Sequence, residues 1–147
     1  MKRQQLTIFL DDIESRTIES IRRKFNPKQF KLIRSHITLC REDEIKDLSL
    51  IQSKLRKIEI YEFQLKVGRL KRFSEGKGVL IAIEDEKNQF HKLRELILQN
   101  KNSFPREHKA HITLMHPRNS TCDDKKLYSF PSSAWERDPE APASPMI

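Results

Sequence analysis

Apolar residues along the first 130 positions recur with a period of two in some stretches and of three to four in others, and the switching between these periods predicts the elements. Residues 4–10 (QQLTIFL) read as a strand ending at Asp11-Asp12, a pair suited to cap a helix that begins near Ile13. In that helix Ile13, Ile18, Ile21 and Phe25 form the apolar side, and Asn26-Pro27 stops it. A second strand is expected over residues 33–40. The acids Glu42, Asp43 and Glu44 then favour a helix N-terminus, followed by one apolar stripe of Ile45, Leu48, Ile51, Leu55 and Ile58.

Tyr61, Phe63, Leu65 and Val67 alternate with polar residues, and Gly68 breaks the phase as a bulge would before the strand continues toward Phe73. Residues 74–78 read as a turn and Val79-Leu80-Ile81-Ala82-Ile83 as a buried strand. Phe90, Leu93, Leu96 and Ile97 make residues 88–99 an amphipathic helix, and a last strand is expected over residues 110–115. Strands and helices in this order imply an α/β or α+β domain over residues 1–130. Residues 131–147 hold four of the seven prolines and no apolar period, so a disordered tail is expected there.

Charge divides the chain in the same way: residues 1–130 carry +10, residues 131–147 carry −2, and the whole carries +8. A basic body favours a polyanionic partner such as RNA, DNA or a small phosphate. No apolar stretch approaches the roughly 18 residues that span a bilayer, and Met1-Lys2-Arg3 leads into Gln-Gln, so no membrane partner and a cytoplasmic location are expected. Cys40 and Cys122 lie in no C-x-x-C unit, which argues against a zinc ribbon or disulfide scaffold. Gly76-Lys77-Gly78 lacks the further glycines of a nucleotide-phosphate loop. No cofactor is implied.

The chemistry lies in an internal repeat. Ser35-His36-Ile37-Thr38-Leu39-Cys40 and Ala110-His111-Ile112-Thr113-Leu114-Met115 share HITL, 75 residues apart, each on a predicted strand. Alternation puts His36 with Thr38, and His111 with Thr113, on the face opposite the aliphatic pairs. An imidazole titrates near pH 6.5, so one histidine can accept a proton while the other donates one. That pairing suits in-line displacement at phosphorus without a metal, with the threonine hydroxyls and nearby cations on the non-bridging oxygens.

By these motifs, H36-I-T-L and H111-I-T-L, and by the order of elements over residues 4–118, the chain resembles the two-histidine (2H) phosphoesterases, which include bacterial 2′-5′ RNA ligases and RNA 2′,3′-cyclic phosphodiesterases. The resemblance implies two pseudo-symmetric α+β lobes around a central cleft, with His36 and His111 as the catalytic pair and Thr38 and Thr113 on the phosphate. It further implies RNA ends, cyclic nucleotides or 2′-5′ linkages as substrates. Two other readings of the repeat stand beside it: an RNA- or nucleotide-binding module without turnover, and a purely structural repeat.

Several residues remain open at this level. Arg41 and Arg118 follow the two motifs and are either phosphate ligands at the cleft mouth or solvated cations. His108, His111 and His116 have no acidic or cysteine partner at convincing metal-ligand spacing, His116 is expected off the cleft face, and His91 is expected toward solvent. Lys66, Arg69, Lys71 and Arg72 interleave with Tyr61, Phe63 and Phe73, either as a nucleic-acid track or as an exposed strand face. Phe9 belongs either to the core or beside the cleft.

A complete second copy of the first lobe would place strands near residues 138 and 154, so the second lobe is expected to lack two strands. His111 would then sit beside an uncovered sheet edge, which Trp135 would partly fill or a second copy of the chain would cover, so that marginal stability or self-association is expected.

Overall fold

The computed structural model describes residues 3–59, 64–73, 78–99 and 107–116. Among these residues five strands, β1 (Leu6–Phe9), β2 (His36–Cys40), β3 (Lys66–Arg72), β4 (Val79–Glu84) and β5 (His111–Met115), form one sheet in the order β1-β2-β5-β4-β3, every neighbour antiparallel. Among the described residues four α-helices accompany it: α1 (Arg16–Phe25), α2 (Pro27–Leu32), α3 (Leu48–Lys57) and α4 (Gln89–Leu98). The architecture is α+β. Among the described residues no helix is long and apolar enough to cross a membrane.

Alternation decides which side of the sheet is covered. Ile8, Ile37, Ile81 and Ile112 point one way into a core completed by Ile18, Ile21 and Phe25 of α1 and by Phe90 and Ile97 of α4. The other side carries His36, Thr38, His111 and Thr113, all half-buried. The bulge expected at Gly68 is present, since the β3–β4 register shifts between Val67 and Leu70. A Cβ on Gly68 would come within 2.9 Å of the Ala82 carbonyl oxygen, which is why this position takes glycine.

Four local expectations change. Ile13 is exposed and lies outside α1, because Asp11 instead closes the preceding turn, its carboxylate accepting from the Glu14 N–H at 2.7 Å. Pro27 does not merely end α1. It starts α2 at the first helical position, where its missing N–H costs nothing. The acids 42–44 form a separate 3-10 turn, and Asp47 caps α3 by accepting from the Leu50 N–H at 3.1 Å.

The fourth change concerns His111. The strand that carries it is flanked by β2 on one side and β4 on the other, so the uncovered neighbour position expected there does not exist; among the described residues the sheet edges are β1 and β3. Sequence spacing placed the motif in an outer position because it treated the halves as successive copies, whereas the two motif strands pair with each other. Tyr61, Phe63, residues 74–77 of the expected 74–78 turn, Arg118, Cys122, Trp135 and residues 131–147 lie outside the described residues.

Candidate active site

The site is built on the pairing of β2 with β5. Ile37 stands opposite Ile112 in an antiparallel ladder. One step to either side along that register therefore sets His36 against Thr113 and Thr38 against His111, all four on the face away from the core. The two histidines are diagonal neighbours, a relation that separates residues by about 7–8 Å. Neither threonine hydroxyl has a hydrogen-bond partner among the described residues, and both side chains are partly open to solvent.

Each imidazole is held in the same way. His36 Nδ1 lies 2.8 Å from the Arg34 carbonyl oxygen and His111 Nδ1 lies 2.9 Å from the Lys109 carbonyl oxygen, two residues back in both cases. A carbonyl only accepts, so Nδ1 must carry the proton on both rings. This leaves Nε2 as the nitrogen that takes up or releases a proton. Each ring also meets a phenylalanine edge-on, His36 with Phe9 at 6.1 Å between centroids and His111 with Phe73 at 5.7 Å. Phe9 is 41% exposed, so it belongs beside the histidine face rather than in the core.

The strands behind these residues repeat one irregularity. Leu6 and Thr7 stand opposite Cys40 and Thr38, and Val79 and Leu80 opposite Met115 and Thr113, so Leu39 and Leu114 are each the extra residue of a bulge. A bulge reverses the alternation, which is why Cys40 and Met115 turn inward and are fully buried although plain alternation would put them beside the histidines. It also takes the leucine carbonyls out of the ladder. The Leu39 carbonyl accepts from Arg94 Nη1, and the Leu114 carbonyl accepts from Asn26 Nδ2 at 3.2 Å.

Buried charge lies under the site. The Arg22 guanidinium donates to the Glu19 carboxylate at 2.8 and 3.0 Å and to the Ile33 carbonyl at 2.8 Å, while the Ser35 N–H donates to Glu19 at 2.5 Å. Burial alone would raise the Glu19 carboxyl, but these donors hold it below its ordinary value. Burial pushes His36 below the usual imidazole value; the Arg34 carbonyl opposes this, and the positive charges of Arg22 and His111 add to it. Neutral His36 is therefore the favoured form near pH 7. Burial likewise pushes the Cys40 thiol up to about 12, which makes it inert.

The other candidates separate. Arg41 is exposed beyond the far end of β2, roughly 13 Å along the strand from the Ile37–Ile112 pair by strand rise, and its Nε sits 3.6 Å from Asp43. Arg118 lies outside the described residues. His108 lies beside the site. Its Nε2–H donates to the Thr38 carbonyl at 3.1 Å and its ring lies 5.8 Å from that of His111. His91 pairs with Glu95 at 3.2 Å, and His116 is half-buried. Among the described residues no three His, Cys, Asp or Glu side chains group as metal ligands.

Sequence reasoning missed Arg22 and Glu19, which reach the site from α1, and weighed His108 only as a metal ligand, whereas it reaches the site from the approach to β5. Phe9 carried a usable signal, since it alternates in phase with Thr7 on a strand that pairs with β2. The chain matches no protein-family model, no curated protein and no solved structure.

Proposed function

We propose that the protein is a metal-independent phosphodiesterase acting on RNA or nucleotide 2′,3′-cyclic phosphates or 2′-5′ linkages, with His36 and His111 as its acid–base pair. The observation that carries this reading is the reciprocal His36–Thr113 and Thr38–His111 arrangement, with both Nδ1 atoms tied to backbone carbonyls. The repeated bulges and the repeated histidine–phenylalanine contacts support a pseudo-twofold relation between two lobes meeting at this face, as the 2H resemblance implies. RNA ends or cyclic nucleotides in the cytoplasm are the substrates it requires.

In hydrolysis of a cyclic phosphate, water attacks phosphorus and its proton passes to Nε2 of one histidine. The bond from phosphorus to the leaving ribose oxygen breaks, and that oxygen takes a proton from Nε2 of the other. The tendency of His36 to remain neutral suits it to the accepting role in this direction. Thr38 and Thr113 hydroxyls donate to the non-bridging oxygens, where negative charge grows. In the ligating direction the roles exchange. Arg41, paired with Asp43 beyond the strand end, is not part of this mechanism.

The test is turnover of a cyclic-phosphate oligonucleotide in EDTA. Loss of one proton-transfer group costs about 10²–10⁴ in rate, so His36→Ala and His111→Ala should each fall by at least about a hundredfold. Full activity in either variant refutes the pairing.

A further inference from the structure

Beside the histidine face runs a groove of about 740 Å³, lined among others by Arg69 and Lys71 of β3, Ala82 of β4, and His108 and Lys109 before β5. It adjoins the candidate site directly. Ala82 is the ladder partner of His111, and the ring of His108 lies 5.8 Å from that of His111. Lys71 stands opposite Leu80, which stands opposite Thr113, so Lys71 shares the histidine face at two strand spacings, roughly 10 Å, from Thr113. The four-carbon stem of a lysine spans much of that interval.

The groove carries three carboxylates, Glu84, Asp85 and Glu107, and three cations, Arg69, Lys71 and Lys109, and among the described residues the two sets do not pair with each other. Glu84 is engaged by Lys66 at 3.6 Å, and Asp85 accepts from the Gln89 and His91 N–H groups at 2.8 and 3.3 Å. Arg69, Lys71 and Lys109 are exposed, with no carboxylate within 4 Å among the described residues. Cations held apart from acids along a groove that opens onto a phosphate-reacting face are suited to a second phosphate.

We infer that this groove binds the phosphate next along the chain of a single-stranded RNA, with Arg69, Lys71 and Lys109 as its contacts, so that the substrate is an oligonucleotide end rather than a lone mononucleotide. This rests on the phosphodiesterase reading for the identity of the substrate but not for the binding itself.

The experiment measures anisotropy of a fluorescein-labelled six-nucleotide RNA across a salt series, for the wild type, for Arg69→Ala with Lys71→Ala, and for a control of equal charge change, Lys28→Ala with Lys31→Ala on α2. Each phosphate contact on a single strand contributes about −0.7 to the slope of log K against log salt, so the groove variant should flatten the slope by about 1.4 and the control should not. A thermal melt matching the wild type shows that the groove variant is folded. Equal slopes in the groove variant and the control, or no RNA binding by the wild type, overturn the inference. Cyclic-phosphate turnover without a slope change rejects the groove and leaves the enzyme; the slope change without turnover does the reverse.

Discussion

Removing the Glu44 carboxylate tests how the β2 bulge is held. Arg94 is fully buried, its Nη2 lies 2.6 Å and its Nη1 3.1 Å from the two Glu44 oxygens, and Nη1 also donates to the Leu39 carbonyl that the bulge removes from the ladder. Glu44 itself is only 10% exposed and accepts from the Arg41 N–H at 2.8 Å. Glu44→Ala leaves a buried guanidinium without that carboxylate, a loss that costs about 3–5 kcal/mol in comparable buried pairs. At about 2–4 °C per kcal/mol for a chain of this size, the melting temperature should fall by roughly 6–20 °C.

Replacing both partners, Arg94→Met with Glu44→Leu, removes the stranded charge. What remains is the orphaned Leu39 carbonyl, worth about 1–3 kcal/mol. The double variant should therefore be more stable than Glu44→Ala alone. Thermal melts followed by circular dichroism, with urea midpoints as a second measure, read both effects. A fall of less than about 3 °C in Glu44→Ala, or a double variant less stable than the single one, would show that the pair does not anchor the bulge.

Asn26→Ala should cost about 1–3 kcal/mol, because the Leu114 carbonyl loses its buried donor; a change below about 0.5 kcal/mol in urea unfolding contradicts the assignment. Burial lowers both His36 and His108, so the unfolded chain binds protons first as pH drops below about 6.5. Stability should thus be full at pH 7.5 and decline toward pH 5.5, above the range where Glu19 protonates, and His108→Asn should shallow that decline. An unchanged pH slope in the variant counts against it. Cys40, with its thiol pushed up to about 12 and no exposed surface, should resist a thiol reagent at pH 8 in a Cys122→Ser background until denaturant is added. Labelling at the rate of a free thiol in the folded protein speaks against the burial.

The repeated HITL, the faces of its two strands, the Gly68 bulge and the buried part of each helix stripe (Ile18, Ile21 and Phe25; Ile51; Phe90 and Ile97) are legible in the sequence, because each is a local periodicity that a few neighbouring residues determine, whereas Ile13, Leu48 and Leu96 of the expected stripes are exposed. Alternation alone separates His36 and Thr38 from Ile37 and Leu39. What alternation could not reach is which strands pair. The adjacency of β2 and β5, the central place of the His111 strand and the reciprocal facing of each histidine with the other motif's threonine depend on contacts between residues some 75 positions apart. Bulges at Leu39 and Leu114 reverse the side-chain phase of Cys40 and Met115, and only the neighbouring strands β1 and β4 impose them. The same holds for electrostatics: the shift of His36 comes from burial and from Arg22, a residue of α1 that no sequence spacing ties to the motif. The chemistry of the groups was written in the sequence, while their protonation and their partners were decided by packing.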